Sequence, residues 1–186
     1  VQNSYGGGKI GQSALALLKT MGVKEVIVTA RNPLRGGTIE KIGGILCDTT
    51  KQPAPDFIKE YWGKGIGNCN EETWLADFTI DAGGWHGALE ELIEHAQAAS
   101  DIAVVALGMT QQKICEVDLV NKGISIHGAY AYTPEDCQEV IKLIEKAPEN
   151  FAPLTTATFP LTDIVHALEE ATDSTKHMKV LLDCEK

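Results

Sequence analysis

The sequence predicts an α/β fold, a doubly wound six-stranded parallel sheet with helices on both faces, followed by a C-terminal helix/strand segment. Two observations support this prediction. Short apolar runs, typical of buried parallel strands, alternate along the chain with amphipathic helical stretches. A glycine-rich turn at residues 6–11 lies where it would join the first strand to the first helix.

The glycine-rich turn has the spacing Gly-x-Gly-x-x-Gly, formed by Gly6, Gly8 and Gly11. Gly6 allows a tight turn, Gly8 leaves room for a diphosphate beside the backbone, and Gly11 lets the helix lie close to a strand. Lys9 and Ile10 begin the helix, where free N–H groups and the helix dipole favour an anion. We therefore expect this turn to bind the diphosphate of a dinucleotide.

The elements around the turn complete the context that a dinucleotide site requires. One helical face is predicted from the spacing of Ile10, Ala14, Leu17, Leu18 and Met21. Gly22 would end this helix, and the β-branched run 26–29 predicts the second strand. Residues 1–5 are mostly polar, so they predict only a weak first strand and a chain that begins abruptly.

The residues after the second strand indicate which dinucleotide binds. Ala30 stands where an acidic residue would hold the ribose hydroxyls of NAD, and residues 26–39 contain no Asp or Glu. Arg31 and Arg35 are suited to bidentate contacts with a ribose 2′-phosphate. We therefore predict NADP, with NAD as the second choice. The alternative is that two surface arginines simply follow a strand.

The remaining strands are predicted at four places: a short strand ending at Cys47, then residues 75–81, 101–107 and 124–128. Further helices are predicted at residues 56–62 (within a surface stretch at 52–70), 87–99 and 134–146, and a C-terminal helix and a strand at 179–183 follow. A ligand of such a sheet lies at the carboxyl ends of the strands, where the strand order reverses. The turns containing Ala82, Gly83, Leu107 and Gly108 therefore join the candidate site.

Composition and charge exclude several classes of protein. The chain is 44% hydrophobic and 23% charged, as is ordinary for a soluble globular protein, and its net charge of −10 argues against a nucleic-acid partner. No apolar run approaches the roughly 20 residues of a membrane span. The five cysteines show no Cys-x-x-Cys spacing. We read them as reduced thiols and expect a cytoplasmic protein.

Several segments together resemble the medium-chain dehydrogenase/reductase family, which contains the zinc-type alcohol, sorbitol and threonine dehydrogenases. The segments are the glycine turn and residues 26–31, 80–84, 104–108, 126–136, 159–161 and 178–183. The resemblance implies that residues 1–129 form a Rossmann dinucleotide-binding domain. It also implies that residues 130–186 pack on a GroES-like catalytic domain, which would precede the glycine turn and is absent from this sequence.

The resemblance also implies an activity, hydride transfer between NADP(H) and a small alcohol or ketone bound to zinc. The zinc would lie in the absent catalytic domain, and no catalytic or metal-binding residue is expected in this chain. His127 would lie near the nicotinamide, although a packing role is the alternative. The exposed edge of residues 124–128 would form a homodimer or homotetramer.

Two other functions remain open at this point. The first is a free-standing dinucleotide-sensing regulatory domain without catalysis. The second is a methyltransferase that binds S-adenosylmethionine through a similar glycine turn, although an acidic residue would then be expected in place of Ala30.

Overall fold

The computed structural model describes residues 2–67 and 72–185 and contains the predicted six-stranded parallel sheet. Its strands are β1 (Gln2–Tyr5), β2 (Val26–Ala30), β3 (Ile45–Asp48), β4 (Phe78–Asp81), β5 (Asp101–Val104) and β6 (Ser125–Gly128). They lie in the order β3-β2-β1-β4-β5-β6, and every neighbouring pair is parallel. The strand order therefore reverses between β1 and β4, as expected for a doubly wound sheet.

Within residues 2–67 and 72–185, five helices connect these strands: α1 (Lys9–Thr20), α2 (Pro33–Lys41), α3 (Ala54–Trp62), α4 (Ala88–His95) and α5 (Glu116–Lys122). The described residues form two apolar core clusters. One contains Leu15, Val28 and Ile39 from α1, β2 and α2. The other is larger and contains residues of the sheet together with Ile58 of α3 and Leu92 of α4. The burial of apolar side chains against the sheet is the main stabilising contribution to this fold.

The first strand is formed and central, although its sequence predicts only a weak strand. Asn3 and Ser4 are fully buried, and β1 pairs with β2 on one side and β4 on the other. Backbone hydrogen bonds to two flanking strands do not depend on the side chains of β1. They therefore order a segment whose own side chains do not favour a strand. Val1, the first residue of the predicted strand, lies outside the described part of the chain.

The apolar face predicted for α1 is exposed at both of its ends. Ile10 is 53% exposed and Met21 is 67% exposed. The buried residues of this helix are Gly11, Gln12, Leu15, Ala16 and Thr20. Gly11 packs backbone against backbone on the glycine turn, and this close approach rotates the helix so that the residues on the Gly11 side face inward.

Other differences concern the ends of elements. The strand predicted at 101–107 stops at Val104, and the helix predicted at 87–99 stops at His95, before Ala99 adopts a left-handed conformation. Helix α5 was not predicted. The surface stretch predicted at 52–70 contains α3, and its last three residues lie outside the described part.

The C-terminal segment adds α6 (Pro134–Lys146), α7 (Pro148–Phe151), β7 (Ala157–Pro160), α8 (Ile164–Thr172) and β8 (Val180–Asp183). The predicted α6 is confirmed and starts with a reciprocal capping box between Thr133 and Asp136. Strands β7 and β8 form a separate two-stranded parallel sheet. The Asn150 amide donates a hydrogen bond to Thr20 Oγ1 (2.9 Å), which fixes this segment to α1.

Within the described residues, no helix combines the length and apolarity needed to cross a membrane.

Candidate functional site

A cavity of about 780 Å³ lies at the carboxyl ends of β1, β2 and β4, where the strand order reverses. The predicted site residues that line it are Gly6, Gly8, Ala30, Arg31, Arg35, Ala82 and Gly83. The sheet therefore brings together residues that are far apart in the sequence. The cavity lies where the ligand of a doubly wound sheet is expected.

The glycine turn forms the floor of this cavity, and two of its glycines are required by close backbone contacts. Gly6 has a φ of +111°, and a Cβ there would lie 2.7 Å from the Gly83 Cα. A Cβ at Gly11 would overlap the Gly6 carbonyl oxygen. At Gly8, by contrast, a Cβ would meet nothing within 4 Å. The turn is therefore closed against the protein at Gly6 and Gly11 and open at Gly8.

The end of β2 holds the turn in place. The backbone N–H of Gly6 donates to Thr29 Oγ1 (2.9 Å), and the N–H of Gly7 donates to the Thr29 carbonyl (2.6 Å). The helix begun by Gly8 has no side-chain cap and no acidic residue in its first turn. Its N-terminus therefore keeps the partial positive charge that favours an anion.

The turn after β4 is fixed by a buried carboxylate. Asp81 Oδ1 accepts hydrogen bonds from the backbone N–H groups of Gly83 (3.1 Å) and Gly84 (3.0 Å). The N–H of Ala82 donates to the Tyr5 carbonyl (2.8 Å), which joins this turn to the end of β1. The two turns that flank the reversal of strand order are thus held against each other.

The basic side of the cavity is formed at the start of α2. Asn32 caps this helix by accepting a hydrogen bond from the Leu34 N–H (2.8 Å), and Pro33 occupies the first helical position. This places Arg31 just before the helix and Arg35 in its first turn, both lining the cavity. Among the described residues, the buried Arg35 Nε has no hydrogen-bond partner. This donor is available to an anionic ligand.

Asp48 at the end of β3 is already engaged by its own neighbours. The Thr50 hydroxyl and N–H (3.0 Å for the N–H) donate to its carboxylate, and Lys51 lies 3.1 Å away. These partners, the Thr50 hydrogen bonds above all, lower the pKa of Asp48 to about 2. Asp48 does not line the cavity.

The opposite side of the cavity is acidic and aromatic. Glu90, Glu91 and Glu94 of α4 line it together with Trp85, which stacks on Tyr5 with ring centroids 5.5 Å apart. The Tyr5 hydroxyl donates to Glu91 Oε1 (2.8 Å). Since the arginines lie on the other side, the charge distribution orients an anionic ligand toward α2.

Two ionisable side chains along the cavity have perturbed pKa values. Burial, together with the charge of Glu91, raises the pKa of Tyr5, so this hydroxyl stays protonated and donates. Burial lowers the pKa of His95, which also lines the cavity and lies against Trp74. These shifts keep both side chains neutral.

Six predicted site residues lie outside the cavity lining. Lys9, Ile10 and Gly11 belong to the first turn of α1, and Lys9 and Ile10 are exposed. Leu107 is 94% exposed, and Gly108 lies against the backbone of Gly84. His127 Nε2 lies 3.0 Å from Asp101 Oδ1, at the start of the neighbouring strand.

Four residues that shape the site could not be identified from the sequence. Thr29 and Asp81 accept the hydrogen bonds that fix the two turns, Trp85 covers Gly83, and Gln12 binds the glycine turn from α1. Thr29 and Asp81 lie near the carboxyl ends of β2 and β4, and no sequence motif distinguishes them. A buried glutamine in a helix is recognised only from its contacts.

A zinc site is not found in this part of the molecule. Residues 2–67 and 72–185 contain no group of three or more His, Cys, Asp or Glu side chains arranged to hold a metal ion. The groups that line the cavity are suited to a nucleotide instead. They are the uncapped N-terminus of α1 and Arg35, whose Nε has no partner among the described residues.

The comparison with known families decides the classification. The model of the family described as "Zinc-binding dehydrogenase" matches residues 10–146. The chain belongs to the zinc-binding dehydrogenase family. The match begins in the glycine turn and includes α1 to α6. The resemblance inferred from the sequence motifs is therefore confirmed.

Two curated relatives of this family illustrate the similarity. The chain is 26% identical to 2-dehydro-3-deoxy-L-galactonate 5-dehydrogenase of Pseudoalteromonas atlantica, covering 96% of this chain and 50% of the relative. It is 24% identical to L-idonate 5-dehydrogenase (NAD(P)(+)) of Escherichia coli, covering 95% and 48% respectively. The chain thus spans about half the length of the curated relatives it matches.

A solved structure supports the fold independently. An Escherichia coli protein described as a short chain alcohol dehydrogenase (rspB), complexed with the cofactor NADH, superposes with a TM-score of 0.80 at 23% identity. The alignment covers 98% of this chain and 51% of that protein. At this level of identity the similarity establishes the shared fold.

Proposed function

We propose that this chain is the coenzyme-binding portion of a zinc-dependent alcohol or polyol dehydrogenase and that it prefers NADP over NAD. When bound, the nicotinamide coenzyme supplies a hydride acceptor or donor for a small alcohol or ketone. Residues 1–129 are proposed as the dinucleotide-binding domain. Residues 130–186 are proposed to pack on a catalytic domain that holds the zinc.

The observation that carries the coenzyme preference is the buried Arg35 Nε, which lacks a partner among the described residues and borders the cavity. A buried unpaired donor is unfavourable unless a ligand accepts its hydrogen bond. Arg31 lies beside the same cavity, and Ala30 contributes no carboxylate to repel a phosphate. A ribose 2′-phosphate would satisfy both arginines.

The other residues of the cavity have distinct parts in this proposal. The open backbone at Gly8 and the uncapped N-terminus of α1 bind the diphosphate, with Lys9 adding positive charge nearby. Ala82 and Gly83 limit the depth of the cavity beside the glycine turn. Leu107, Gly108 and His127 are proposed for the nicotinamide end of the same sheet edge.

The family resemblance extends the proposal to assembly and location. Strand β6 is the last strand of the sheet and is largely exposed. We propose that two chains associate through this edge, as a homodimer or within a homotetramer, in the cytoplasm. The names of the relatives point to polyol and sugar-acid substrates, and this chain's substrate is proposed only as a small alcohol or ketone.

The test is calorimetric titration of the 186-residue chain with NADPH and NADH in parallel. We expect NADPH to bind more tightly and Arg31→Asp to reverse the order, because the new carboxylate would repel the 2′-phosphate and accept hydrogen bonds from the ribose of NADH. A loss of about tenfold for NADPH corresponds to one charge-assisted hydrogen bond. Lys24→Asp, a charge reversal away from the cavity, is the control. Equal binding of the two nucleotides would contradict the NADP preference.

A further inference from the structure

Gln12 is a buried glutamine that touches three separate parts of the chain. It lies in α1 and is fully buried. Its amide nitrogen Nε2 lies 2.9 Å from the Gly7 carbonyl oxygen and 3.0 Å from the Arg35 carbonyl oxygen. The sulfur of Met178, in the C-terminal segment, is 4.0 Å away.

The two carbonyl groups determine how the amide is oriented. An NH₂ group has two hydrogens to donate, and here each carbonyl oxygen accepts one. The reversed orientation would place the amide oxygen against two carbonyl oxygens and lose both hydrogen bonds. Gln12 Oε1 is buried and has no partner among the described residues, so the side chain is held by its donors.

The two acceptors belong to the two halves of the nucleotide site. Gly7 lies in the turn proposed to approach the diphosphate, and Arg35, whose buried Nε has no partner among the described residues, lines the cavity at the proposed 2′-phosphate end. Within a nucleotide, the diphosphate and the ribose 2′-phosphate are separated by a short covalent linkage. Both groups are bound at once only if the turn and the first turn of α2 keep a fixed separation.

We propose that Gln12 is a positioning residue that holds the glycine turn and Arg35 at the separation that an NADP coenzyme requires. It touches neither the cavity nor the nucleotide and acts through the backbone of Gly7 and Arg35. Removing its donors therefore weakens the binding of NADPH more than that of NADH, because only NADPH uses both ends. This inference rests on the proposed NADP preference.

The alternative role for Gln12 is purely structural, and its signature is different. A residue that only stabilises the fold would lower the free energy of unfolding and affect both nucleotides alike. Gln97 provides a matched control, because it too is a buried glutamine, and its Nε2 donates to Asp77 Oδ1 (3.2 Å). It does not line the cavity.

The experiment compares Gln12→Met, Arg35→Met, the double variant and Gln97→Met by calorimetric titration with NADPH and NADH. Methionine keeps the length of the side chain and removes both donors. We expect Gln12→Met to weaken NADPH binding about fivefold and NADH binding by less than about twofold, since a net hydrogen bond contributes a factor of this size. In the Arg35→Met background, the same change should no longer alter the preference, because the two residues act as one unit.

The outcomes separate this inference from the proposed function. If the unmodified chain binds neither nucleotide or prefers NADH, the proposed function fails and the inference falls with it. If the unmodified chain prefers NADPH but Gln12→Met changes both affinities equally, the inference alone is wrong. Additive effects in the double variant would overturn it too. Should Gln12→Met not fold, Gln12→Asn, which is too short to reach both carbonyls, takes its place, and failure of both variants to fold would assign Gln12 to stability alone.

Discussion

The interior strand β2 and the edge strand β6 differ in how far the chain itself covers them. All five residues of β2 are buried, whereas β6 has three exposed residues and one that is partly buried. The loops that follow β5 and β6 expose Leu107, Met109 and Tyr130 almost completely. The chain therefore covers the β2 side of the sheet itself, while the loops after β5 and β6 present apolar side chains to solvent.

The largest effect is expected from one substitution made in both regions. Ile27 in β2 is fully buried, and Ile126 in β6 is partly buried at the sheet edge. We expect Ile27→Ala to lower the free energy of unfolding by about 4 kcal/mol and Ile126→Ala by about 1.5 kcal/mol, because less apolar surface is lost at the edge. Urea denaturation measures both. Equal losses would show that a second chain covers β6 in solution, so that the two strands do not differ in burial.

A smaller effect is expected from alanine at two glycines. A Cβ at Gly11 would overlap the Gly6 carbonyl, whereas a Cβ at Gly128, at the end of β6, would meet nothing within 4 Å. We expect Gly11→Ala to cost about 2 kcal/mol and to abolish nucleotide binding, and Gly128→Ala to change stability by less than about 0.5 kcal/mol. Thermal unfolding with and without NADPH tests both. Normal binding by Gly11→Ala would refute the close packing of the turn.

The smallest effect concerns pH. Burial lowers the pKa of His95, so this ring resists protonation in the folded chain more than in the unfolded chain. The contribution of the neutral His95 ring to the unfolding free energy is complete above the pKa of the unfolded chain, about 6.5. It is lost as the pH falls through the lower pKa of the folded chain. We expect His95→Gln to reduce the fall in unfolding free energy between pH 7.5 and 5.5. The control is His86→Gln, which changes an exposed ring; if it has the same effect, the buried cavity wall is not the cause.

Much of the glycine-turn side of the cavity could be predicted from the sequence because its pattern is local. The spacing of Gly6, Gly8 and Gly11 and the missing acid at Ala30 lie within one strand, turn, helix and strand unit. The structure brings Gly6, Gly8 and Ala30 to the cavity, with both arginines. Short-range sequence patterns predict this side of the cavity because a single strand, turn, helix and strand unit forms it.

Other features could not be predicted because they depend on distant segments. The inward face of α1 follows from the contact between Gly11 and Gly6, which overrides the apolar spacing that includes Ile10 and Met21. Strand β7 is four residues long and ends in Pro160, so its sequence alone does not distinguish a strand from the approach to α8. Its pairing with β8 supplies the hydrogen bonds that define it.

The polar character of β1 bears on the stability of the sheet beside the glycine turn. Asn3 Nδ2 and Oδ1 and Ser4 Oγ are buried without partners among the described residues, so the central strand lowers the stability of its own surroundings. The glycine turn follows directly from this strand. A ligand bound to the turn would therefore hold the end of a strand whose buried amide and hydroxyl groups lower the stability of the sheet. Saturation of this turn by a ligand would then lengthen the time for which the folded chain resists proteolysis.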